Sequence, residues 1–246
     1  MNTLSASRAD TSAAASAGAP AARRVLVWDA PVRVFHWLMV FSFVGAYLTA
    51  ESERWRLVHV TLGYTMAGLV AFRLLWGFVG TRHARFASFV RGPAAAARYL
   101  RGLTSGQPEP GAGHNPAGAL AIVALLAMTV AVSATGWATY NEIGGGWLEE
   151  LHEVTANAML AIVGVHLAGV LLGSWLHREN LIGAMVSGRK RARPEDAVRS
   201  AWRSVAALML AAVLAFWWLQ WSGFAGSIGP GSEAAASVGK HDRDDD

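Results

Sequence analysis

Residues 150–176 read ELHEVTANAMLAIVGVHLAGVLLGSWL. The stretch is longer than the ~20 predominantly apolar residues that a helix needs to cross ~30 Å of hydrocarbon. It carries two histidines, His152 and His166, fourteen residues apart. At about 3.6 residues per turn that is almost four whole turns, so both face the same way, and at about 1.5 Å per residue they lie roughly 21 Å apart along the axis. One helix can therefore serve two stacked sites, one near each end.

Working outward, four further apolar spans appear at 33–50, 57–79, 117–140 and 203–224. Five transmembrane helices are implied, the first near the short limit and the one at 150–176 near the long limit. The composition agrees. A chain of 246 residues that is 53% hydrophobic and 15% charged has too little polar surface for an ordinary soluble domain. Cysteine is absent, which excludes disulfides, thiolate-held iron–sulfur clusters and covalent c-type haem attachment. The formal charge of +4 does not point to nucleic acid, because the arginines sit beside apolar segments and read as topology markers. No dinucleotide fingerprint, phosphate loop or hydrolytic triad stands out, and whether the chain is itself an enzyme stays open.

The chain divides into an amino-terminal arm, a membrane domain, a linker with the fifth span, and a tail. The arm, 1–26, is mostly Ala-, Ser- and Gly-rich and is expected to be disordered. Trp28-Asp29-Ala30-Pro31 leads into a helix with proline in its first turn, and the membrane domain runs over 27–193. Residues 194–225 hold the linker and fifth helix, and 226–246 form a polar tail expected to be mobile. Arg82, Arg85, Arg91, Arg98 and Arg101 fill the connection between spans two and three, and Arg178, Arg189, Lys190, Arg191 and Arg193 follow span four. The connection between spans three and four instead carries Glu142, Glu149 and Glu150 with no Lys or Arg. The positive-inside rule places the basic loops and the amino terminus in the cytoplasm.

Four of the eight histidines, His36, His59, His152 and His166, fall in the spans or at their ends, where a polar side chain is costly unless paired or used. Taken singly, each is as well explained as an interfacial or hydrogen-bonding histidine. Together they match in depth. Span one runs outward and span two inward, so His36 lies at the level of His166 and His59 at the level of His152. Each pair suits the two axial positions of a b-type haem: inner His36/His166, outer His59/His152. Bis-imidazole ligation leaves no open iron position and favours electron transfer over oxygen activation. His177, eleven residues after His166 and on the same face, is a weaker rival for the inner site; beside Arg178 it could instead bond a propionate or a lipid headgroup. Gly63, Gly68, Gly164, Gly169 and Gly173 suit either a flat macrocycle or close helix packing. His83, His114 and His241 are expected to be solvated, Arg73 to snorkel to the inner interface, and tryptophans near the span ends to anchor in the headgroups.

The chain resembles the bacterial cytochrome b561 family, which includes the cytochrome b subunits of nickel–iron hydrogenases, over roughly residues 27–193. The resemblance rests on Val34-Phe35-His36-Trp37, on His59 with Gly63, on Gly113-His114-Asn115-Pro116, on Leu151-His152-Glu153 and Val165-His166, and on His177-Arg178-Glu179-Asn180-Leu181 leading to Gly188-Arg189-Lys190. Thr81-Arg82-His83-Ala84-Arg85-Phe86 looks more like the hydrogenase-type branch. The resemblance implies an all-α membrane bundle with a four-helix dihaem core, to which this chain adds a fifth transmembrane helix. It implies two non-covalent b haems ligated by His36, His59, His152 and His166. It further implies multi-pass residence in the bacterial inner membrane and electron transfer between the quinone pool and a redox partner, such as a hydrogenase, a c-type cytochrome or another dehydrogenase. Quinone itself is a ligand the reading admits.

Two other classes compete. A transporter or metal permease would use intramembrane histidines for a transition ion or a proton relay, but it calls for ligands at one depth and acidic partners in the spans. A non-redox membrane anchor subunit fits the helices and leaves the histidine register unexplained. The arm and the fifth helix are departures from the family core, and a simple anchoring role suits the fifth helix best.

Overall fold

The computed structural model describes residues 23–90, 92–104 and 113–223. Residues 1–22 of the arm expected over 1–26, the tail expected over 226–246 and its His241 lie outside the described residues. The elements run β1 (Arg23–Leu26), α1 (Ala30–Thr49), α2 (Arg56–Val79), α3 (Phe86–Phe89), α4 (Pro93–Thr104), α5 (Pro116–Tyr140), α6 (Gly146–Leu176), α7 (Leu181–Ser187), β2 (Arg189–Ala192) and α8 (Arg203–Trp221). Helices α1, α2, α5, α6 and α8 are each long and apolar enough to span a bilayer. Their large apolar side chains stay outward: Phe78, Val165, Trp175, Leu208 and Trp218 are exposed on the protein surface. Only 6% of the most apolar window of α6 is buried inside the protein, which leaves a long apolar face that water covers at a cost. The chain is a helical membrane bundle.

Two compact units make up the chain. The first contains the residues up to Asp29, Gly77–Val123 and Val163–Ala201. Here Arg23–Leu26, the end of the expected arm, is a strand: β1 pairs antiparallel with β2, Arg23 opposite Ala192 and Leu26 opposite Arg189. Pairing is reinforced where Val27 and Trp28 both donate their N–H to the Gly188 carbonyl and Val198 donates to that of Leu26. Val25, Val27, Trp28, Ala184 and Ala192 form a small core beneath the ribbon. Asn180 caps α7 by accepting from the Gly183 N–H at 2.6 Å, and Gly188 ends it at φ +76, a left-handed conformation that suits glycine.

Asp29 in this unit is fully buried and accepts a 2.6 Å hydrogen bond from the Thr81 hydroxyl. His83, expected to be solvated, is buried: its Nε2 donates to the Asp196 carbonyl at 2.8 Å and its ring meets Trp28 edge-on. His114, also expected in solvent, packs between Trp28 and Phe89 with ring centroids 4.4 and 4.7 Å away. Both expectations fail for one reason. The polar loop folds back over Trp28, so its histidines find aromatic surface and a backbone carbonyl within the protein.

The second unit contains Ala30–Trp76, Ala124–Ile162 and the residues from Trp202 onward. Helix α1 packs along α8. The fifth span is also tied to α2, where Trp217 Nε1 donates to Thr65 Oγ1 at 2.9 Å. Tyr47 on α1 donates to Asn157 on α6 at 2.9 Å. Arg73 is only 3% exposed, so it is enclosed by protein rather than snorkelling outward. Trp76 is likewise buried, between Phe72 at 5.7 Å and Trp202 at 5.6 Å, whereas Trp55, Trp137 and Trp147 are exposed, as headgroup anchors require.

Candidate functional site

Helix α1 ends at Thr49, so its last carbonyls lack intrahelical partners. One of them, that of Ala46, accepts a 2.8 Å hydrogen bond from His59 Nδ1, on the first turn of α2. Across from His59, α6 presents His152. Its Nδ1 lies 3.1 Å from the Val132 carbonyl and 3.1 Å from Thr135 Oγ1 on α5. The Thr135 hydroxyl is oriented in turn by the Ala131 carbonyl at 2.9 Å. The ring sits this close to α5 because position 136 is glycine: a Cβ there would come within 2.7 Å of His152 Cε1.

The His59 and His152 ring planes are nearly perpendicular, 87° apart, with 6.2 Å between centroids. A carbonyl oxygen only accepts, so each neutral ring carries its proton on Nδ1 and keeps the lone pair on Nε2. That is how metal-ligating histidines are held, the second nitrogen bonded to a carbonyl that fixes tautomer and ring direction. Two imidazoles bound to one metal through bonds of ~2 Å would have centroids about 6 Å apart. The spacing of the pair is the one that two imidazoles holding a single haem iron would need. Among the described residues no three His, Cys, Asp or Glu side chains converge as they would around a permeating metal ion.

The other sequence candidates are placed as follows. His36 is half-buried on α1 in the second unit, edge-on to Trp37 at 5.2 Å. His166 is half-buried on the part of α6 that belongs to the first unit. His177 follows the end of α6 and shares a 3.3 Å hydrogen bond through Nε2 with the Tyr99 hydroxyl. Burial pushes the Tyr99 phenol up from its ordinary value, partly opposed by the Asn115 side chain. A Cβ at Gly63, Gly68, Gly164 or Gly169 would meet nothing within 4 Å among the described residues. The sequence reading missed Thr135, Gly136 and the carbonyls of Ala46 and Val132. Of these only the Thr-Gly pair inside an apolar span left a signal.

The sequence model of a family described as prokaryotic cytochrome b561 matches residues 27–188. A protein of Bradyrhizobium diazoefficiens named "Probable Ni/Fe-hydrogenase B-type cytochrome subunit" is 25% identical over 237 residues, spanning 77% of this chain and 94% of its own. One of the same name from Rhizobium leguminosarum bv. viciae is 26% identical, spanning 74% of this chain and 95% of its own. The "Probable Ni/Fe-hydrogenase 1 B-type cytochrome subunit" of Escherichia coli K12 is 28% identical, spanning 47% of this chain and 60% of its own. No solved structure matches the chain. The family match covers the three helices that carry the four candidate histidines, together with α5, and the chain belongs to the prokaryotic cytochrome b561 family, multi-pass membrane cytochromes that transfer electrons through b-type haem.

Proposed function

We propose that this chain is the membrane cytochrome b of a hydrogenase-linked respiratory chain, carrying electrons between a hydrogenase and the quinone pool through two b haems. The outer haem is held by His59 and His152, the inner by His36 and His166. The chain lies in the bacterial inner membrane with its amino terminus in the cytoplasm. The observation that carries the reading is the facing pair His59/His152, each with Nδ1 on a backbone carbonyl. The relatives named as hydrogenase cytochrome subunits support the partner, and the basic loops support the orientation.

Bound haem supplies one-electron chemistry at iron, and the protein supplies ligation, orientation and a water-poor setting. His59 and His152 would hold the haem iron through Nε2, whose lone pair stays free because the Ala46 and Val132 carbonyls engage Nδ1 of each ring. Thr135 adds a second contact to His152 and resists ring rotation. Gly136 supplies the room the ring needs.

The deciding experiment is a reduced-minus-oxidised visible spectrum of the purified chain with a pyridine-haemochrome count. Two low-spin b haems per chain, falling to one in His59→Ala with insertion retained, is the expected result. A His59→Ala spectrum identical to the wild type would overturn the ligand assignment.

A further inference from the structure

Helix α5 meets His152 with one face. Val132, Thr135 and Gly136 make the contacts, and helical register adds Thr139, which follows them by seven, four and three residues. Thr139 therefore belongs to the face that holds the ligand. It lies one turn nearer the end of the helix at Tyr140.

Its hydroxyl is used differently from those of the other threonines further back on α5. Thr129 and Thr135 donate to the Leu125 and Ala131 carbonyls four residues back, at 2.8 and 2.9 Å, which satisfies a hydroxyl within its own helix. Thr139 Oγ1 is enclosed by protein, yet among the described residues it has no hydrogen-bond partner. A buried hydroxyl left unbonded is a net cost, so one in a folded protein calls for an acceptor. Ser133 Oγ, also unbonded, stands about 120° round the helix from Thr139 and is not part of this face. The amide of Asn141, two residues beyond Thr139, is already given to the Trp137 carbonyl at 2.7 Å. Thr139 is the donor still to be used at this end of the face.

The chemistry of the site says which acceptor it meets, a step that rests on the reading of His59 and His152 as ligands of one haem. Outside its ring nitrogens a haem offers two strong acceptors, its propionate carboxylates, both on one edge. Charged groups are costly in hydrocarbon, so that edge would lie toward the polar end of the spans. Thr139 is at such an end: α5 stops one residue later, and Asn141 and Glu142 are exposed. We propose that the Thr139 hydroxyl donates a hydrogen bond to a propionate of the haem held by His59 and His152. The bond fixes the rotation of the macrocycle about its iron–imidazole axis and screens the carboxylate charge from the iron.

The test is a spectroelectrochemical titration of the full-length, haem-loaded protein beside Thr139→Val, which removes the donor at nearly constant shape, and Thr139→Ser, which keeps it. A donor on the propionate weakens the negative field at iron, so its removal should favour the oxidised form. In Thr139→Val the oxidised-to-reduced ratio of one haem at a fixed potential should rise roughly threefold, a fall of about 28 mV in midpoint for a one-electron couple. The shifted component should be the one missing from His59→Ala, with the other haem at its wild-type midpoint. Thr139→Ser should stay near wild type. With haem isotopically labelled at the propionate carboxyls, the carboxylate band of the redox-difference infrared spectrum should move in Thr139→Val and hold in Thr139→Ser. If Thr139→Val loses this haem outright, retention in Thr139→Ser supports the proposal, and loss in both assigns the position to packing of the methyl group and overturns it. An unchanged midpoint and carboxylate band in Thr139→Val, with both haems bound, would give the hydroxyl to water and overturn the proposal while leaving the ligands standing. A wild type without haem would instead sink the reading on which it rests.

Discussion

The His59 and His152 rings stand nearly perpendicular with 6.2 Å between their centroids, each with Nδ1 engaged by a carbonyl from a third or fourth helix. On the proposed ligation the two rings would hold one iron between them, and removing either should release that haem. His59→Ala, His152→Ala and the double variant are therefore each expected to lose one haem of two, the double no more than the singles. A double variant of His36 and His59 should lose both. Pyridine-haemochrome counts per chain check this, and additive loss within the His59/His152 pair would break the assignment.

Gly136 is where α5 makes room for the His152 ring. In Gly136→Ala the new Cβ would lie 2.7 Å from Cε1, so ring or helix must shift, at a cost of about 1–3 kcal/mol. The expected outcome is normal membrane insertion with reduced occupancy or an altered spectrum of the outer haem only. Thr135→Val, which removes one of two contacts to Nδ1, should weaken haem retention less than Gly136→Ala does. Haem loss during dialysis against apomyoglobin ranks the two.

The Asp29 carboxylate is fully buried and takes a 2.6 Å hydrogen bond from Thr81. Removing a donor from a buried carboxylate costs about 1–3 kcal/mol, since desolvation of the acceptor is no longer offset. Thr81→Val should lower Tm in detergent, while Thr81→Ser, which keeps the hydroxyl, should stay near wild type. Equal losses in both would point to packing of the methyl group instead.

Burial raises the Tyr99 phenol, so the folded protein favours its neutral form. The sign follows from linkage: the contribution to stability is whole below the unfolded value near 10 and is lost as pH climbs above it. An ultraviolet titration should contain a late-ionising component that vanishes in Tyr99→Phe. The variant should also lose less stability than wild type at strongly alkaline pH. A late component that persists in Tyr99→Phe would assign it to another tyrosine.

Hydrophobic length alone determined the five spans, because a bilayer demands about 20 apolar residues wherever a helix crosses and nothing tertiary alters that demand. The first begins at Ala30 rather than 33, the fourth at Gly146 rather than 150, and the fifth ends at Trp221 rather than 224. Those shifts lie at polar ends, where Pro31 and the Gly144–Gly146 run decide the boundary and hydropathy does not. Helical periodicity likewise put His152 and His166 on one face. What only the tertiary structure decided are contacts between segments far apart in the chain. The β1–β2 ribbon joins residues more than 160 positions apart, and strands of four residues rich in arginine carry no period of their own. His83 and Arg73 read as solvated or snorkelling from their local sequence, yet are buried because other segments close over them. The orientation of His59 and His152 depends on two backbone carbonyls, and every residue has one of those, so no side-chain pattern could announce which two would serve.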